Sequence, residues 1–169
     1  MRYAPLLIGL AIVCTVPAIG QALKGHDAKS PVDVEADRIE VQDRADRAVF
    51  SGNVVVRQSN LTLTASRLTV AYARADGGVT IERLDASGGV SVKSPSETAR
   101  GDFAVYDLNR RIITLVGGVE LTQGNNRVQG GRMVIDLDTG RATVDGRSAP
   151  GTGNSGRVTG RFTVANTKK

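Results

Sequence analysis

Three short stretches of this 169-residue chain carry residue types at spacings that chemistry can use. Ile135-Asp136-Leu137-Asp138-Thr139-Gly140 contains an Asp-Thr-Gly triplet, the element in which two carboxylates share one proton to activate water. A single copy is present, so a homodimer would have to supply the second carboxylate. The triplet also falls where the preceding hairpin has Asp107-Leu108-Asn109-Arg110-Arg111, a turn with no such chemistry, and Asp and Gly suit a turn for backbone reasons alone. Gly151-Thr152-Gly153-Asn154-Ser155-Gly156 has dinucleotide-fingerprint spacing, but that motif works between a strand and a helix with an acidic residue about 20 positions on. Too little chain follows for that, so the stretch reads as a linker. A nucleophile–histidine–carboxylate set would depend on His26, the only histidine, in a segment without strand pattern that reads as a solvated tail. The same count excludes a histidine-based metal cluster, and pairs such as Asp43 with Asp46 read as the wet side of a turn. No catalytic residue, metal site or cofactor is expected.

The elements that would position any site are strands. A pattern recurs four times: a small or charged pair, alternating apolar residues, a polar turn, then apolar residues running into a glycine. Its copies begin at Asp37, Ser66, Gly101 and Gly131 and end at Gly52, Gly88, Gly117 and Gly146. This is one β-hairpin design repeated, and stacked copies bury an interior that no single copy can hide. The glycines are 36, 29 and 29 residues apart, so the second unit carries an insertion, placed at a turn around Asp76 to Arg83. Val32 to Val34 looks like a first strand, and Arg157 to Val164 alternates enough to form a last edge strand.

Residues 1–22 read as a cleaved secretory signal: Arg2, the apolar run Leu6 to Val16, and the small-x-small site Gly20-Gln21-Ala22. As a helix that run reaches only about 16 Å, about half of a bilayer core. Residues 23–30 read as a flexible lead, 31–146 as the β-domain, and 147–169 as a Gly/Ser-rich linker with a possible edge strand and a basic tail. Cys14, the one cysteine, would leave with the signal, so no disulfide or thiolate site supports the domain. With no Trp, three Phe and three Tyr, branched aliphatics must fill the interior. The formal net charge of +5 comes from arginines spread among acidic neighbours without aromatic platforms. That argues against a nucleic-acid partner and for a solvated polar face.

On the parity of the repeats, one face collects Val32, Val34, Ile39, Val41, Phe50, Val54 and Val56, then Leu68, Val70, Val90 and Val92. It continues through Phe103, Val105, Leu115, Val119, Leu121, Met133 and Ile135. These are the candidate apolar-ligand residues. A packed core and a groove between two sheets both fit this pattern.

Pro31-Val32-Asp33-Val34-Glu35-Ala36-Asp37, Phe50-Ser51-Gly52-Asn53-Val54, Ala65-Ser66-Arg67-Leu68 and Leu115-Val116-Gly117-Gly118-Val119 resemble the LptA-like (OstA-like) family of periplasmic lipopolysaccharide transport proteins. The resemblance spans residues 31 to about 146. It implies an all-β fold, an open, twisted β-jellyroll of antiparallel hairpins, that shields lipopolysaccharide acyl chains in the periplasm without catalysis. It also implies partners: an inner-membrane-anchored protein of the same fold, an outer-membrane translocon barrel, and further copies of the chain joined head to tail through strand edges. A structural or polysaccharide-binding β-solenoid is the alternative, although the chain has few aromatics for binding sugar.

Overall fold

The computed structural model describes residues 26–75, 77–146 and 156–163. The proposed leader, the Gly-Thr-Gly stretch up to Ser155 and the basic tail lie outside the described residues. Ten strands form one antiparallel sheet. They are β1 (Asp33–Glu35), β2 (Arg38–Gln42), β3 (Arg47–Gln58), β4 (Leu61–Ala75), β5 (Gly78–Lys93), β6 (Glu97–Asp107), β7 (Ile112–Gln123), β8 (Asn126–Asp136), β9 (Arg141–Asp145) and β10 (Thr159–Arg161). From β3 to β8 each strand pairs with the next in sequence, which is the meander that the repeated hairpins imply. The expected last edge strand is present as β10. The second repeat's extra length is not a loop: β4 and β5 stay paired out to Ala75–Gly78, so the insertion lengthens a hairpin beyond its neighbours.

Register slips align across the sheet, between Ser51 and Val54, Thr64 and Arg67, Ser87 and Val90, Arg100 and Phe103, and Val116 and Val119. A bulge puts an extra residue on one strand and bends it, so a row of bulges creases the whole sheet. The repeats supply the device. Gly117 has φ +82°, and a Cβ there would overlap the Asp102 carboxylate; Gly52, at φ +79°, stands in the same relation to Asp37. In the first three copies the closing glycine, Gly52, Gly88 or Gly117, is therefore the turning point, and Asp37, Ser66 or Asp102 packs against it; Gly146 instead meets the Gly156 backbone. Asp37 also accepts a hydrogen bond from Asn53 Nδ2 at 2.9 Å, and Ser66 Oγ donates to the Gly88 carbonyl at 2.8 Å.

The crease divides the sheet into two arms. One arm carries residues 54–65, 90–101 and 119–130, with β1 and β10; the other carries 47–51, 67–87, 103–116 and 132–136, with β2 and β9. The inner faces of both arms form one apolar cluster, in which Leu68, Val92, Ile113, Leu115, Met133 and Ile135 are all 0% exposed. Burial of each such side chain contributes about 1.5–3 kcal/mol. A direct tie crosses between the arms: Tyr106 of the second donates from its hydroxyl to Gln58 Oε1 of the first, at 3.0 Å. The sheet is thus folded on itself as an open jellyroll.

Candidate functional site

Directly opposed residues of an antiparallel pair share a face, so the registers fix which side chains point inward. Val54, Val56, Leu68, Val70, Val90, Val92, Leu115, Val119, Met133 and Ile135 all do so and are buried against one another. Val32, Val34, Phe50 and Leu121 are half-buried along the margin of the same cluster. Ile39 and Val41 pair with Phe50 and Ala48 and so share the inner face, yet they are 56% and 60% exposed because β2 lies on an open edge.

Phe103 and Val105 are not interior residues. They pair with Val116 and Thr114 on the outer face and are 54% and 38% exposed, while Ala104 and Tyr106, each 2% exposed, take the inward positions. The reason is one of frame. Asp102, not Gly101, is the counterpart of Asp37, as its packing against Gly117 shows, so the third copy starts one residue later and the side chains of β6 that follow change face.

The seam between the arms differs at its two ends. Toward the N-terminus it is closed. Gln58 Nε2 donates to the carbonyls of Ala28 and Ser30, at 3.1 and 2.9 Å, while Gln58 Oε1 accepts from Tyr106. Residues 26–30 therefore form a strap docked on the seam. His26 is part of it, not a solvated tail residue: its ring meets Tyr106 edge-on at 6.5 Å between centroids. Burial lowers the His26 pKa against opposing hydrogen bonds from Asn60 and Gln58. Burial also pushes the Tyr106 hydroxyl up to about 12, which keeps it a donor. The length of chain between His26, Gln58 and Tyr106 gives no local pattern from which this cluster could be read.

Toward the C-terminus the arms part around an apolar cleft of about 430 Å³, within the usual range for ligand pockets. Leu121 and Val128 line it from the first arm, Ala142 and Val144 from β9, and Val158 and Phe162 from the segments flanking β10. Arg127 and Arg141 also line it. Of the sequence-based candidates Leu121 reaches this cleft. Ala142, Val158 and Phe162 were missed; the alternation of residues 157–164 was the available signal for the last two.

The Asp-Thr-Gly triplet is a turn. Asp136 Oδ1 accepts from the Asp138 and Thr139 amides at 3.0 and 2.9 Å, which holds its carboxyl below the ordinary range, and Asp138 pairs with Arg111 at 2.8 Å. Asp43 and Asp46 both meet Arg74. Among the described residues no three His, Cys, Asp or Glu side chains gather in a metal-binding group.

Residues 33–141 match the family model described as LptA/(LptD N-terminal domain) LPS transport protein. An uncharacterised protein of Rhizobium meliloti is 35% identical over 121 residues, covering 68% of this chain and 65% of that protein. The LPS-assembly protein LptD of Sodalis glossinidius is 30% identical over 133 residues, covering 78% of this chain and 16% of its own length. This chain therefore spans less than two thirds of either relative. The crystal structure of LptH from Pseudomonas aeruginosa, the LptA-homologous periplasmic component of the lipopolysaccharide transport device of that organism, superposes with a TM-score of 0.71. That superposition covers 82% of this chain and 99% of LptH at 21% identity, a likeness of fold.

Proposed function

The chain belongs to the LptA/LptD N-terminal domain family of lipopolysaccharide transport proteins, and from that premise we propose that it carries lipopolysaccharide through the periplasm with the acyl chains held between its two arms. The carrying observation is the seam: one continuous aliphatic interior, closed at the strap and parted at the cleft beside β9 and β10. Shielding apolar chains from water needs apolar walls and no reacting group, and Leu121, Val128, Ala142, Val144, Val158 and Phe162 supply such walls, with Glu97, Gln123, Asn126, Arg127 and Arg141 as the polar part of the lining. Head-to-tail joining follows from the edges. β1 and β2 leave one edge of the sheet unpaired, β9 and β10 the other, and such edges accept added strands. The inner-membrane partner of like fold and the outer-membrane translocon are the two ends that such a bridge would meet.

The test is a photo-crosslinking residue at Val144, inside the cleft, with one at Phe103 on the outer face as control. Capture of lipopolysaccharide at Val144 and not at Phe103, and of delipidated polysaccharide at neither, is the expected result. Equal capture of the delipidated sugar at Val144 would overturn acyl-chain carriage in favour of a polysaccharide binder.

A further inference from the structure

β10 pairs with β8 so that Arg161 lies directly opposite Arg127 and Thr159 directly opposite Gln129. Opposed residues share a face, and two like charges so placed repel. Arg127 is partly compensated by Glu120 at 3.6 Å, but the same carboxylate also faces Arg100 at 3.7 Å. Among the described residues no acidic partner stands at ion-pair distance from Arg161. Arg100 and Arg127 therefore share one carboxylate while Arg161 stands opposite Arg127, and Arg127 and Arg161 line a polar cleft of about 530 Å³ together with Thr122, Asn125 and Thr159.

This polar cleft adjoins the apolar one, and Asn126 and Arg127 line both. Asn126 Oδ1 accepts from the Thr163 amide at 2.9 Å, which holds the segment carrying Phe162 beside the apolar side. An apolar cleft and a cationic cleft sharing two residues suit an amphiphile with an anionic head. We propose that Arg127 and Arg161 form a binding site for a phosphate monoester on the headgroup of the carried lipid, while its acyl chain enters the cleft at Leu121 and Val144. A phosphate monoester brings a charge of about −1.5 to −2 and three acceptor oxygens, which matches two guanidiniums that each present a fork of donors. This site rests on the lipid-carrier reading above and specifies which part of the lipid is recognised at the C-terminal end.

The experiment compares binding of phosphorylated and phosphatase-treated lipopolysaccharide to the wild-type chain and to Arg161→Gln and Arg161→Lys, with inorganic phosphate as a third ligand. Arg161 is exposed, and circular dichroism verifies that each variant is folded. Removing the phosphates is expected to weaken wild-type binding about tenfold, as loss of a charge-assisted contact would. Arg161→Gln should erase that difference, and Arg161→Lys should keep part of it. An undiminished difference in Arg161→Gln, or no difference in the wild type, overturns the phosphate site while leaving lipid carriage intact. Inorganic phosphate binding as tightly as the phosphorylated lipid would assign the site to the free anion and overturn the headgroup assignment. Failure of the wild type to bind either lipid form would overturn the carrier reading and the site with it.

Discussion

The tie between Gln58 and Tyr106 makes a quantitative demand. Both side chains are 2% exposed, and the hydroxyl is the donor described for Gln58 Oε1 between the two arms. Tyr106→Phe removes one neutral hydrogen bond, typically about 1 kcal/mol, and leaves a buried carbonyl oxygen without that donor, which raises the total to about 1–3 kcal/mol. For a domain of this size that corresponds to a fall in Tm of roughly 3 °C per kcal/mol. Gln58→Leu removes the same bond and also the two donated to the Ala28 and Ser30 carbonyls, so it should release the strap as well. The assay is urea denaturation followed by far-UV circular dichroism, with both single variants and the double variant. A coupling energy of about 1 kcal/mol is expected from the cycle. A coupling near zero with unchanged m-values would refute the tie and, with it, the account of a seam closed at the N-terminal end.

The frame of β6 is tested by Phe103→Asp against Ala104→Asp: the first should shift stability by no more than about 0.5 kcal/mol, whereas the second places a charge in the interior and should prevent folding at 37 °C, as circular dichroism and solubility would reveal. Gly117→Ala should cost about 2 kcal/mol in thermal denaturation, combining the strain of φ +82° with overlap on Asp102, and Asp102→Ala in the same chain should recover part of it. Because burial lowers the His26 pKa below its ordinary 6.5, the unfolded state binds the extra proton first; the strap's contribution is therefore full above about pH 6.5 and is lost as pH falls below it. Amide exchange of residues 27–30 at pH 7.5 and 5.5 should show that loss in the wild type and none in His26→Gln.

The strands were legible because alternating Val, Leu and Ile leave little choice but a half-buried sheet, and the recurring glycines marked the period of the repeat. Their role as a crease was less visible, since it depends on the five slips lying side by side across different hairpins. The error at Phe103 has a specific cause. Hydrophobicity favoured Phe103 and Val105 over Ala104, while the polar residue that sets the frame, Asp102, is recognisable only from what it packs against. Small inward residues such as Ala99 and Ala104 carry almost no pattern, although they let the arms approach. The cleft and strap are further from reach, because they join residues on strands far apart in sequence, Gln58 with Tyr106 and Leu121 with Phe162. No local periodicity encodes such meetings.

The crease also determines what kind of contact must give way when something enters the molecule. Hydrogen-bond ladders run within each arm, along the sheet, whereas the arms meet through aliphatic side chains such as Leu68, Leu115 and Met133. Contacts of that kind have no direction, and a methylene of a guest chain can replace a methylene of the facing arm without stranding a donor or acceptor. Such a guest would trade places with the protein's own interior like for like, with the crease acting as the spine of a book whose pages, apart from the clasp of Tyr106 on Gln58, are held together by their aversion to water.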